Sequence, residues 1–259
     1  MVGIESLPAW GIAWVVAVLL VAGFAHGVLG FGFPVIATPL LALLIDYKST
    51  VLILLLPTLA VCLLNALHGG NLRESIGRFW FMPIFSVLGA WLGTLVLIVA
   101  PPEPFPLLLA VLLVVYLYRD RIGRADIPAV RRHPATAAMA AALAGGIFEA
   151  TANVALPPLI IYFMILGVSP MVLVQALNAC FVAGKTSQML AWSASGGIGL
   201  SYWVSTLPWA LLGVGTLLLG QRLRKRVRAE IYIGWLRKFL WAMVALLVFQ
   251  FMRGMGSSI

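Results

Sequence analysis

The chain has 259 residues, 63% hydrophobic and 10% charged, with a mean hydropathy of +1.07 and a net charge of +9. Soluble globular chains carry roughly 45–50% apolar and about 25% charged residues, so this composition excludes an ordinary soluble fold. It predicts an all-α polytopic membrane protein, a single transmembrane domain over 1–259. The positive charge does not point to nucleic acid: it gathers in 119–132 and 222–238, between apolar runs, as in cytoplasmic loops beside anionic lipid.

In chain order the apolar runs are roughly 10–30, 33–45, 50–67, 79–99 and 105–118, then 134–149, 154–167, 171–192, 203–219 and 237–252. The opening MVGIESLPAW lacks a positive n-region, so the first run is expected to be a retained span. Runs 33–45 and 154–167 are short. A helix of about 13 residues is only about 20 Å long, against a hydrocarbon core of about 30 Å. These two are expected to be broken, re-entrant or strongly tilted helices. Pro57, Pro83 and Pro208 are expected to kink spans.

Charge orients the runs. Arg73 and Arg78 share one loop, five arginines lie in 119–132, and seven Lys/Arg lie in 222–238. The alternate loops hold only Lys48. With the basic loops inside, both termini are predicted outside a plasma (inner) membrane. His68 and His133 stand at loop edges and carry no expected role. Cys62 and Cys180 sit in apolar runs without metal-ligand spacing, and no metal or cofactor is expected.

The sequence also repeats. Ala22-Gly-Phe-Ala-His-Gly opens the first half and Ala144-Gly-Gly-Ile-Phe-Glu the second. A shift of 123 positions pairs Pro34 with Pro157, Asp46 with Ser169 and Asn65 with Gln188. Repeat 1 is expected over about 10–118 and repeat 2 over about 134–252, linked by the basic cytoplasmic loop 119–133. Five segments per repeat is an odd number, so the two would have opposite orientations. Inverted repeats with Gly/Pro-broken segments at matching positions point to a secondary transporter with its site at the breaks.

The first break is Gly30-Phe-Gly32-Phe33-Pro34. Its glycines allow unusual backbone angles, and Pro34 suits a first helical turn whose free N–H groups attract anions. In the second break, Asn153 stands where the first has Gly30. It can adopt left-handed geometry or hydrogen-bond a ligand.

Lys185 lies deep in the run Met171 to Trp192. A charge at that depth costs at least about 2.5–3.5 kcal/mol, so such residues face a protein interior or a water-filled path. Asn178 and Gln188 share its helical stripe, and Thr58, Cys62 and Asn65 form the matching stripe in the first half. Lys185 can be the cationic contact for a small anion, with hydrogen bonds from Asn65, Asn153, Asn178 and Gln188. It can equally be the structural partner of Glu149. Snorkelling is disfavoured, since the span end is roughly 10 Å away. Glu149 and His26, paired by the same shift, are candidates for proton coupling. Small residues such as Gly89, Gly93, Gly213 and Gly215 suit packing within the chain or in a homodimer.

The chain has no GxxxxGK[ST] loop, no HExxH and no GxSxG. ATP-driven transport and membrane protease or esterase chemistry are therefore not expected.

The text Ala22-Gly-Phe-Ala-His26-Gly-Val-Leu-Gly30-Phe-Gly32-Phe-Pro34, then Asn65-Ala-Leu-His-Gly-Gly and Leu-Gly-Ala-Trp-Leu-Gly93-Thr, resembles the TauE/SafE sulfite exporter family. The likeness runs over about residues 10–252 and includes the duplication. It implies a plasma-membrane transporter, not an enzyme. It further implies proton-coupled export of sulfur-containing anions such as sulfite, thiosulfate or organosulfonates like sulfoacetate. The alternatives are a passive anion channel, an importer of sulfate or thiosulfate, and an assembly subunit or membrane-embedded enzyme. The chain departs from the family in its second break, where Thr151-Ala-Asn153-Val-Ala replaces a Gly-rich run.

Overall fold

Helices account for every regular element among the described residues, which in this computed structural model are 8–67, 72–123, 127–196, 198–224 and 229–256. The first half holds α1 (Ala9–Leu29), α2 (Phe33–Leu41), α3 (Tyr47–Leu67), α4 (Leu72–Phe79), α5 (Met82–Val99) and α6 (Pro104–Leu117). Two short helices follow, α7 (Arg119–Ile122) and α8 (Pro128–Arg132). The second half holds α9 (Pro134–Ala152), α10 (Leu156–Leu166), α11 (Pro170–Ala194), α12 (Leu200–Ser205), α13 (Leu207–Leu223) and α14 (Ala229–Gly256). Among the described residues, five stretches are long and apolar enough to cross a membrane: 9–29, 47–67, 82–99, 134–152 and 200–223. α11 is longer than any of these but is not among them. Its buried Gln175, Asn178, Lys185 and Gln188 lower its hydropathy.

The two short runs are short helices. α2 has 9 residues and α10 has 11. At 1.5 Å per residue neither reaches about 17 Å, well under the hydrocarbon thickness. Each follows a chain break at a left-handed residue. Gly30 ends α1 at φ 85° and Asn153 ends α9 at φ 56°. Asn153 is the only non-glycine with positive φ among the described residues. Of the three expected kinks, Pro57 lies inside α3 and Pro208 inside the 200–223 span, just after its interruption at Thr206. Pro83 instead stands in the first turn of α5, as Pro208 does in that of α13. A proline fits there because its missing N–H has no helical partner to lose. His68, part of 124–126 in the basic loop, and 225–228 lie outside the described residues.

The helices recur at a nearly fixed interval. α1 and α9 end 123 positions apart, α2 and α10 begin 123 apart, and so do α3 and α11. α5 and α13 begin 125 apart.

Two compact units form, each built from both halves of the sequence. One comprises Met1–Val61, Pro101–Val114 and Leu200–Ile259; the other comprises Cys62–Ala100 and Val115–Gly199. In the first, α1 lies along α13 and α2 packs on α1 and α14. Trp14 Nε1 donates to Leu40 O at 3.1 Å, tying α1 to α2. In the second, α5 lies along α9 and α11, and α10 packs on α9. Under the interval above, α1 with α13 is the counterpart of α9 with α5.

Small residues bring these long helices together. A Cβ on Gly27 would run into Leu217 O of α13, and one on Gly89 into Leu143 O of α9. Gly93 and Gly213 are likewise occupied by intrachain packing, whereas a Cβ on Gly215 would meet nothing within 4 Å. Without a hydrophobic drive between helices in lipid, such backbone approach supplies much of the association energy.

Candidate functional site

The second unit gathers Glu149, Asn153, Lys185 and Gln188 at the break between α9 and α10. All four are at most 1% exposed. The Lys185 ammonium has three N–H groups, and three oxygens receive them. Asn153 Oδ1 accepts at 2.5 Å, Gln188 Oε1 at 2.8 Å and the Glu149 carbonyl at 3.4 Å. Gln188 Nε2 donates to Ala150 O at 3.0 Å. Glu149 O and Ala150 O belong to the last turn of α9, whose carbonyls have no helical partner. Lys185 and Gln188 therefore cap the end of α9. A cation there also opposes the negative end of the helix dipole.

The left-handed turn that places Asn153 has its own support. Val154 N–H reaches back to Phe148 O at 3.3 Å, and Thr151 Oγ1 donates to Ile147 O at 2.7 Å. One residue thus does what Gly30 does for the backbone of the first break, and adds a side-chain oxygen for Lys185.

Glu149 brings the compensating charge. Its Oε1 lies 4.0 Å from Lys185 Nζ, close enough for an ion pair but beyond a hydrogen bond. Neither carboxyl oxygen has a hydrogen-bond partner. The carboxyl group packs over Gly184, where a Cβ would collide with Oε2. Cys62, buried in α3, and Cys180, buried in α11, lie within the field of Glu149. Ser86 of α5 donates to Ala142 O of α9 at 3.3 Å.

Two more residues of the expected set are buried in the same unit. Asn178 is fully buried on the α11 stripe, but its amide N–H2 donates to Val174 O at 2.7 Å on its own helix. Asn65 is buried near the end of α3. The α11 stripe extends further than the sequence reading took it: Gln175, also buried, accepts from Ser75 Oγ of α4 at 2.6 Å. Spacings of 3, 10 and 13 from Gln175 to Asn178, Lys185 and Gln188 carried that signal. Gly184 had no comparable signal, because only the fold places Glu149 over it.

The first break forms a separate group in the other unit. Gly30 and Gly32 take φ of 85° and 109°, and Phe33 and Pro34 are buried at the start of α2. Buried His26 accepts at Nδ1 from the Phe33 N–H at 3.3 Å. That bond makes Nδ1 the unprotonated nitrogen of a neutral ring. It also occupies one of the N–H groups at the start of α2, and Pro34 supplies none. The second break is similar, because Pro157 and Pro158 remove two N–H groups from the first turn of α10. Both helix starts therefore offer an anion fewer backbone donors than their glycine and proline text suggests. His133 is exposed at the start of α9. No group of three or more His, Cys, Asp or Glu side chains suited to a metal ion occurs among the described residues.

A family model described as "Sulfite exporter TauE/SafE" matches residues 15–251. No curated protein and no solved structure matches the chain.

Proposed function

The chain belongs to the TauE/SafE sulfite exporter family, and from that premise we propose a proton-coupled exporter of sulfite or of organosulfonates such as sulfoacetate. The family is one of membrane transporters, not enzymes. The reading of the site rests on one observation, the fully buried Lys185 ammonium held among neutral oxygens at the α9–α10 break. A buried lysine at a broken helix is a fitting contact for a small oxyanion, since it supplies a full charge where water is excluded.

In this reading Lys185 is the cationic contact, and Asn153 and Gln188 are the polar groups that share it with the substrate. Asn65 and Asn178 are further proposed substrate contacts, and so are Gly30, Gly32, Phe33 and Pro34 at the first break. Glu149 and His26 are the groups that take part in proton movement. The recurrence of helices at 123 to 125 positions, and the matching pairs α1–α13 and α9–α5, support two inverted repeats. One repeat would rock against the other to expose the site alternately. In this reading the basic loops face the cytoplasm and both termini lie outside a plasma membrane.

The test is transport in proteoliposomes. Wild-type protein accumulates sulfite or sulfoacetate against a concentration gradient when a pH difference is imposed, and Lys185→Ala does not. Equilibration without accumulation would make the protein a passive channel. Full activity in Lys185→Ala would remove Lys185 from the site.

A further inference from the structure

The proposal below rests on the reading of Lys185 as the anion contact and concerns how a proton is tied to it. The buried cluster has one cation and one anion, Lys185 and Glu149, with their charged groups 4.0 Å apart. All three ammonium protons are directed at neutral oxygens, so the carboxylate compensates the charge without sharing a hydrogen bond. Such a carboxylate acts as a stand-in for the substrate. It balances Lys185 while the seat is empty and holds none of the donors that fix Lys185 in place.

An arriving monoanion changes the sum. Lys185, an ionised Glu149 and the substrate would leave one uncompensated negative charge in a site closed to water. Few other groups can absorb it. α5 carries no charged residue, and the groups of α11 and α3 that face Glu149 are Lys185, Cys180 and Cys62. On the remaining neighbours of α9, Tyr162 of α10 bonds Pro134 O at the far end of α9, and Arg131 and Arg132 of α8 adjoin that same end.

We propose that Glu149 takes up a proton when the anion binds at Lys185, so that anion and proton occupy the site together. The bond formed is O–H on the Glu149 carboxyl, the proton comes from the aqueous side open at that moment, and no electrons move. The transported pair is neutral for a monoanion. Export of the pair then runs down the anion's own outward gradient, and an inward proton gradient opposes it rather than driving it.

Calorimetric titration with sulfite, in two buffers of different ionisation enthalpy, counts the protons. Wild-type protein takes up about one more proton per bound anion than Glu149→Gln, by linkage. The protonation of sulfite itself is common to both proteins and cancels. Should Glu149→Gln not purify as a monodisperse protein, methanesulfonate gives the count on the wild type alone, because its charge is fixed over the working pH range. Binding with equal proton uptake in the two proteins, or methanesulfonate binding with none, overturns this inference and leaves the Lys185 seat standing. No binding of either anion by the wild type overturns the seat, and this inference with it.

Discussion

Asn153 holds the Lys185 ammonium at 2.5 Å while standing in the left-handed region at φ 56°. One residue therefore ends α9, turns the chain toward α10 and receives the buried charge. Its two duties can be separated. Asn153→Gly keeps the backbone and loses the oxygen, whereas Asn153→Ala loses the oxygen and strains the turn. Asn153→Ala should be less stable than Asn153→Gly by about 1 kcal/mol, measured by thermal unfolding in detergent. Both should transport poorly. Asn153→Asp should fold and fail to transport, because a fixed carboxylate would neutralise Lys185.

Removing Lys185 alone strands Glu149 as a buried acid and takes the donor from Glu149 O, while Gln188 still caps Ala150 O. Breaking a buried pair on one side costs about 3–5 kcal/mol. Lys185→Gln with Glu149→Gln together removes both charges while keeping shape and hydrogen-bonding groups. The double variant should be markedly more stable than Lys185→Ala in thermal unfolding, yet inactive in anion uptake by proteoliposomes. Restored transport in the double variant would mean that the pair is only structural.

His26 and Glu149 occupy matched positions 123 apart and make different bonds. His26 accepts the Phe33 N–H, so His26→Ala should cost about 1–3 kcal/mol by leaving that buried donor unmet. If Glu149 carries the proton, a His26→Gln variant that still folds retains pH-dependent transport, and Glu149→Gln loses it. Rates of anion flux at several pH values decide between the two.

The glycines give an internal control for helix packing. Gly27→Ala should drive a methyl into Leu217 O, and Gly184→Ala should push one into the Glu149 carboxyl. Each should cost about 1–3 kcal/mol. Gly215→Ala faces open space and should be neutral or stabilising by about 0.5–1 kcal/mol from helix propensity. Thermal unfolding of the three variants reads the contrast directly. Gly184→Ala alone should also lower transport.

The broken helices were legible because glycine, asparagine and proline carry backbone preferences that act locally. Gly30 with Pro34, and Asn153 with Pro157, marked both breaks before any contact was known. The anomaly of Lys185 was legible for the same reason, since its depth in an apolar run is a matter of counting. Pro83 was misplaced because helix starts are set by tertiary packing as well as by proline. Asn178 shared a stripe with Lys185, yet its amide turned back onto its own helix, and the stripe gave no sign of that.

The sequence by itself determined the membrane class, the two short helices, the recurrence at 123 positions and the presence of one deep cation and one deep acid. Hydropathy, helical period and backbone preference all act within a few residues, and they suffice for these features. Only the tertiary structure decided which oxygens receive the three protons of Lys185, that Glu149 balances its charge without a hydrogen bond, and that His26 takes the N–H at the start of α2. Those choices depend on which helices pack together and at what rotation. They were fixed by glycine-lined approaches between segments far apart in the chain, where spacing along the sequence says nothing about distance in space.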